Sequence, residues 1–274
     1  MNNLIWSNFR RLLGDKAYII ECACMLGLSV FFPLHSYMEQ GSQANPNNYF
    51  FGFNLLIGIF SSVCCSLYLG TEYSDGTIRN KLIAGHTRKN IYLANLLVCT
   101  FASLLVTVIY ILAESLVGIP LLGRVQMDGN ELLVRFFTSG LMIVAFSSIF
   151  TLFSMLIQNK AISAVINILL ALSLLLAAVY IMSRLSEPEF IENYMYMDNL
   201  GTIVAGDPTP NPLYLQETSR AVYEFLNDFL PSGQGLQMCI QILFRWGRMA
   251  WCNVGITMAT TILGLYAFQR KNIQ

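Results

Sequence analysis

Six long apolar runs dominate the sequence and restrict the folds that are open to it. They lie near residues 18–37, 50–69, 91–118, 132–157, 162–182 and 247–268. A helix needs roughly 20 mostly apolar residues to cross about 30 Å of hydrocarbon, and each run reaches that length. The composition agrees, since 12% of the residues are charged against roughly 25% in soluble domains. The sequence predicts an all-α integral membrane protein with six transmembrane helices, in which residues 1–274 form a single domain.

The charges are divided unevenly between the segments that join these runs. Sixteen basic and sixteen acidic residues give no net charge, which disfavours nucleic acid as a partner. If the amino end is inside, the inner segments carry ten basic and three acidic residues. The outer segments then carry six basic and eleven acidic residues. Because cytoplasmic segments retain Lys and Arg, we predict cytoplasmic termini and a location in the bacterial cytoplasmic membrane.

Two regions outside the runs have helical patterns of their own. Residues 1–17 combine one apolar face with Arg10, Arg11 and Lys16, which predicts an interfacial helix. Residues 183–246 form the longest outer region, where the prolines of 207–212 exclude a helix. Beyond them, apolar residues recur at helical spacing over 221–230, PSGQG at 231–235 predicts a turn, and 236–246 is apolar again. This order predicts an external helical hairpin before the last span.

Residues 70–90 form a polar segment between the second and third runs. Ser74 or Asp75 is expected to cap a new helix there, and Gly85 to end it. Ile78, Leu82 and Ile83 would form the short apolar face of that helix. With both termini inside, this helix would offer its charged side chains to the cytosol.

The polar segment resembles the second type of ATP-binding-cassette permease, the transmembrane half of many bacterial exporters. In that family a Glu, a Gly-Thr pair, a basic and aliphatic helix, and a Ser/Thr-Arg step precede the third span. The corresponding residues here are Glu72, Gly76 and Thr77, then 78–83, then Thr87 and Arg88. The six-span layout extends the resemblance over nearly the whole chain, although the outer region 183–246 is longer than the family's usual hairpin.

The resemblance implies that 70–90 is a coupling segment that docks into a separate ATPase subunit. Its candidate residues are Glu72, Tyr73, Asp75, Gly76, Thr77, Arg79, Lys81 and Arg88. It also implies a second permease copy or sister permease, and outward movement of an amphipathic or hydrophobic substrate that is peptide, lipid-like or drug-like. The alternative for this segment is a basic inner loop that only fixes topology.

The residues themselves indicate that this chain is not an enzyme. No Gly-rich GK[ST] phosphate loop and no HExxH or Ser-His-Asp pattern is present in the sequence. ATP and Mg would therefore belong to the partner ATPase, with no cofactor in this chain. Most cysteines lie inside apolar runs without zinc-site spacing, and both histidines stand apart from other ligands, so no metal site is predicted.

Polar residues inside the spans are the remaining candidates. In span three, Ser103, Thr107, Tyr110 and Glu114 share a helical face with Thr100. An intramembrane carboxylate is a functional candidate by default, whereas the alternative is that the hydroxyls pair with a neighbouring helix and Glu114 reaches the interface or Arg124. Glu21 is expected to reach the headgroups or to pair with Lys16.

Span two has a face of small residues, Asn54, Gly58, Ser61 and Cys65, which favours close helix packing over ligand binding. In the resembling family, spans two and five border the central cavity, which adds Asn167. The candidates for a substrate pathway or for packing are Asn54, Ser61, Thr107, Tyr110, Glu114 and Asn167. A function from another class also fits the sequence: a non-transporting sensor, immunity factor or assembly protein that binds a ligand through its external region.

Overall fold

The computed structural model describes residues 2–41, 46–197, 203–240 and 244–272. Its six long apolar helices are α2 (Lys16–Gln40), α4 (Phe53–Ser74), α6 (Arg88–Leu122), α7 (Gly129–Leu156), α8 (Lys160–Leu185) and α11 (Trp246–Arg270). Each is long and apolar enough to cross a membrane. The predicted fold class is confirmed, because the chain is a mainly helical, multi-pass membrane protein with six spans.

Shorter elements connect these spans. The short helices are α1 (Asn2–Leu13), α3 (Pro46–Phe50), α5 (Thr77–Ile83), α9 (Glu217–Phe229) and α10 (Pro231–Ile240). Two strands, β1 (Phe190–Met197) and β2 (Ile203–Pro210), form an antiparallel hairpin that the sequence did not predict. The prolines of 207–212 exclude a helix, as expected, and a two-stranded ribbon tolerates them because it consists of edge strands.

The bundle has two distinct ends. At the α5 end, Arg11 of α1 donates to Thr77 of α5 over 2.8 Å, and Arg88 of α6 donates to the Phe268 carbonyl of α11 over 3.0 Å. At the opposite end, Arg135 of α7 donates to the Met238 carbonyl of α10 over 3.0 Å. We call this the hairpin end, after the helical pair α9 and α10. Helix α1, the carboxyl end of α11 and α5 thus lie on one side of the spans.

Helix α4 forms the centre of the bundle. In its most apolar stretch 67% of the residues are buried, against 17% in α11. Gly58 allows the close approach of α7, since an added Cβ would lie 2.9 Å from the Phe146 ring. Phe146 also stacks on Phe150, with ring centroids 5.8 Å apart. The small-residue face predicted for span two therefore packs against protein.

Helix α6 is the longest element, with 35 residues. At 1.5 Å per residue it spans about 52 Å, well beyond the roughly 30 Å of bilayer hydrocarbon. Pro120 lies in its last turn, where Gly123 closes the helix with a positive φ of 94°. A rod of this length must tilt or project from the membrane.

The predicted turn at residues 231–235 is wrong, because these residues form the first turns of α10. Pro231 occupies the first helical position, where a missing N–H costs nothing and the fixed φ suits the helix. The chain instead changes direction at Leu230, whose extended ψ of 125° ends α9. Helices α9 and α10 form a helical pair before the last span, as predicted, although α10 covers Pro231–Ile240 rather than 236–246.

Candidate functional site

Two glycines with left-handed backbones shape the connection between α4 and α5. Gly76 has a φ of 65° and is the residue from which α5 starts, while Gly85 has a φ of 88° and follows the helix end. The expected cap by Ser74 or Asp75 is wrong, because Asp75 closes α4 and no side chain caps α5. The sharp reversal needs a residue without a Cβ at the cap position. Gly85 ends the helix as predicted, and Thr87 caps α6.

Glu72, near the end of α4, lies at the centre of a buried ionic cluster. Its side chain is fully buried, and its carboxylate accepts from the Lys81 Nζ of α5 at 2.5 and 2.7 Å. Arg11 of α1 lies 3.3 Å away, and Asn95 of α6 donates over 3.0 Å. One carboxylate therefore joins four helices, and we call these four residues the Glu72 cluster.

Further hydrogen bonds connect the Glu72 cluster to its surroundings. Asn8 of α1 donates to the Asn95 amide oxygen over 2.8 Å, and Tyr68 donates to the Asn8 carbonyl over 3.2 Å. Burial lowers the pKa of Lys81, and the Glu72 carboxylate beside it acts in the opposite direction. Buried charges are stable only when they are paired and hydrogen-bonded. The cluster therefore fixes the position of α5 against α1, α4 and α6.

Tyr73 and Arg88 hold the carboxyl end of α11 at the same end of the bundle. Arg88 donates to the carbonyls of Phe268 and Lys271. The Lys271 ammonium donates to the Tyr73 hydroxyl and the Met155 carbonyl, each over 2.9 Å. Burial lowers the pKa of Lys271 to about 8. The end of the last span is thus attached to α4, α6 and α7.

The eight predicted coupling residues differ in burial: two are buried, two are exposed, and four are half-buried, namely Tyr73, Gly76, Thr77 and Arg88. Glu72 and Lys81 are buried and face the bundle, whereas Asp75 and Arg79 are exposed. Ile83, which the sequence analysis placed on the apolar face of this helix, is 78% exposed. Helix α5 therefore has one face anchored in the protein and one face that is open.

A surface groove of about 310 Å³ lies between α1 and α5, next to the open face. Its walls are formed by Asn3, Leu4, Ser7, Thr77, Asn80, Lys81, Ala84 and His86. The groove adds a concavity beside the exposed helix, which is a shape that can receive a side chain from another protein.

Several residues of this site were missed by the sequence analysis. Asn8, Arg11, Tyr68 and Asn95 complete the Glu72 cluster and its support, and Lys271 completes the contacts of Tyr73. Asn95 was the most visible signal, because an amide within an apolar run needs a buried partner. Arg11 pairs with Glu72 because α1 packs against the bundle. The apolar and basic pattern of residues 1–17 does not specify this packing.

The polar face of span three lies inside the protein. Thr107 donates to the Ser103 carbonyl, Ser61 of α4 donates to the Ser103 hydroxyl over 2.8 Å, and Tyr110 donates to the Tyr49 carbonyl over 2.9 Å. Glu114 is 3% exposed, and one of its oxygens has no partner in the described chain. Arg124 is exposed and makes no ion pair with it there. Ser103 and Tyr110 thus pair with neighbouring helices, Thr107 bonds to its own helix, and Glu114 is buried within the protein.

The two asparagine candidates also lie in packed surroundings. Asn54 lies against Met238 of α10, with 3.9 Å between its Nδ2 and the sulfur. Asn167 of α8 donates to the Ser154 hydroxyl of α7 over 2.7 Å. Both side chains are buried, and in this single chain they join helices together.

A family model described as "ABC-2 family transporter protein" matches residues 16–182, which is more than half of the chain. The chain belongs to the ABC-2 family of transporter proteins. The matched region runs from α2 to near the end of α8, so it contains Glu72, α5 and Asn95. This ABC-2 protein is accordingly a transmembrane subunit of an ABC transporter, and such permeases work in the membrane with an ABC ATPase subunit. No curated protein matches the chain.

Proposed function

We propose that this chain is the permease of an ABC exporter whose ATPase subunit docks on the open face of α5. The observation that carries the proposal is the division of α5 into an anchored and an open face. A helix that transmits force must be held firmly by its own subunit and must also offer a surface to its partner. Glu72 and Lys81 meet the first requirement, and Arg79 and Ile83 meet the second.

The open face has the composition of a docking site. Ile83 is a large exposed apolar side chain outside the spans, the exposed Arg79 lies one helical turn before it, and the exposed Asp75 precedes the start of α5. An apolar anchor inside a polar rim is the usual arrangement at protein interfaces. The ATPase subunit would bind ATP and Mg, and this chain would have no enzymatic activity of its own.

The transport cycle follows from this geometry. Two permease copies, or this chain and a sister permease, would each hold one ATPase subunit from the cytosol, with both termini inside. ATP-driven closure of the ATPases would bring the two α5 helices together, and the attached span bundles would tilt as nearly rigid bodies. ATP can drive this change only through its different affinity for the two states.

The substrate is proposed to be amphipathic or hydrophobic and to move outward. Export is the direction used by the bacterial transporters that the sequence resembles. The bundle interior is largely apolar, with small hydroxyl and amide groups such as Ser61, Thr107 and Asn167. These groups are paired within the chain, so the apolar character of the bundle is what favours a peptide, lipid-like or drug-like molecule over a small ion.

Replacement of Ile83 tests the proposed docking surface. We expect Ile83→Asp to weaken capture of the ATPase subunit about tenfold or more, since loss of a central anchor costs about 2 kcal/mol. The measurement is co-purification and ATPase stimulation in liposomes. Phe225→Asp is the matched control, because Phe225 is a half-exposed side chain of α9 at the hairpin end. Equal capture by both variants would place the docking surface elsewhere.

A further inference from the structure

An apolar groove runs between α2 and α4 on the outside of the bundle. Ala17, Ile20 and Cys24 of α2 face Ile59, Val63 and Leu67 of α4 across it. Its volume is about 350 Å³, which lies within the usual range of small-molecule sites, roughly 300–1,000 Å³. From Ala17 to Cys24 it is about 10 Å long, at 1.5 Å per helical residue.

A single carboxylate interrupts this apolar lining. Glu21 lines the groove, is 7% exposed, and has an oxygen without any partner in the described chain. Of the two expectations for Glu21, the ion pair with Lys16 is not formed, and the described residues supply no other cation to it. The nearby phenol of Tyr18 donates to the Ala102 carbonyl over 3.1 Å, so its proton is not donated to Glu21.

The chemistry of the missing partner follows from this arrangement. A buried carboxylate without a counterion is unfavourable, and a positive group beside it removes much of that penalty. A neutral apolar ligand would leave the Glu21 oxygen unpaired, and an anion would be repelled by the carboxylate. The apolar walls, in turn, require that the positive group be carried by an apolar body.

We propose that the groove between α2 and α4 binds a hydrophobic organic cation, with the Glu21 carboxylate as its counterion. As a statement about substrate class, this inference rests on the proposed export function. Glu21 lies about 7 Å along α2 from Lys16. The positive group would therefore lie toward the α5 end, and the apolar body would extend toward Cys24 and Ile59.

The test uses two probes of the same size and opposite charge. The full-length chain in lipid nanodiscs is titrated with tetraphenylphosphonium and with tetraphenylborate. We expect Glu21→Gln to weaken phosphonium binding about tenfold or more, because it removes one partner of a buried charge pair. Glu39→Gln is the matched control, since Glu39 is an exposed carboxylate at the other end of the same helix, and it should bind as the wild type does.

A second variant tests the groove itself and leaves the carboxylate in place. Val63→Trp fills the space between the two helices, so phosphonium binding should fall although Glu21 remains. Size-exclusion chromatography confirms that each variant is folded. Equal affinity for both probes would indicate a lipid-chain site. A wild-type dimer that Val63→Trp converts to a monomer would indicate that a second copy occupies the groove. Either result overturns the inference.

The binding assay contains no ATP and no ATPase subunit, which separates the two proposals. Glu21-dependent phosphonium binding without any ATP-driven export would support the site and refute the proposed function. ATP-driven export of another substrate, together with unchanged phosphonium binding in Glu21→Gln, would refute the site alone.

Discussion

Glu72 shows how one buried carboxylate can organise the end of a helical bundle. It has no surface left for another subunit, although the sequence alone grouped it with the exposed Arg79 as a coupling residue. Its contacts assign it to the positioning of α5, since its ammonium partner belongs to that helix. The effect of Glu72 on a partner protein would therefore pass through the orientation of α5.

Removal of the Lys81 charge, the partner of Glu72, should lower the free energy of unfolding. Lys81→Met leaves Glu72 with Arg11 as its remaining cation, and we expect a loss of about 3 kcal/mol in the free energy of unfolding. Chemical denaturation in detergent micelles measures it. Lys89→Met, at an exposed lysine of the same end, should be nearly neutral. Glu72→Gln in the Lys81→Met background should restore part of the loss, and no restoration would contradict the pairing.

At this scale the sequence identifies the polar residues but not their partners. Glu72 and Asn95 are visible as polar groups near or within apolar runs, and burial of such groups demands hydrogen bonds. From the sequence pattern alone, Arg11 is predicted to be a basic flank of an amphipathic helix. Only the packing of α1 on α6, where Asn8 donates to Asn95, brings Arg11 to Glu72 as a counterion. For the same reason the expected partners of Glu21 and Glu114 were not found.

Among the elements, the spans and α5 could be predicted and the hairpin of strands could not. Hydrophobic runs and glycine positions are local signals, so the six spans and the end of α5 at Gly85 follow from them. The strands β1 and β2 exist only through their mutual pairing, and prolines near 207–212 conceal a strand pattern. The start of α10 was missed because Pro231 and its neighbouring glycines are also typical of a turn.

The connection from α4 to α5 depends on the backbone of Gly76. We expect Gly76→Ala to lower the free energy of unfolding by about 1 kcal/mol, because its φ of 65° is strained for a residue with a Cβ. No atom lies within 4 Å of the added methyl group, so backbone strain alone would be measured. Gly129→Ala is the matched control, since it also enters open space but at an ordinary φ. Equal stability of both variants would contradict this account.

For the whole molecule, the proposed orientation places α5 inside the cell and the strand hairpin outside. In a background without the native cysteines, we expect Asp75→Cys to react with a membrane-impermeant maleimide only in inside-out vesicles. Glu189→Cys should react in intact cells, because Glu189 is exposed just before β1. If Asp75→Cys were labelled from outside the cell, the orientation would be the reverse of the one proposed, and a cytoplasmic ATPase subunit could not dock on α5.

The length of α6 has a mechanical consequence. The helix starts at Arg88, carries Asn95 of the Glu72 cluster two turns later, and continues to Leu122. If α6 moves as one rigid rod of about 52 Å, a rotation of 10° about its base moves its far end by about 9 Å. In the proposed orientation α6 would act as a lever arm, converting a small shift on the cytoplasmic side into a larger displacement on the outer side.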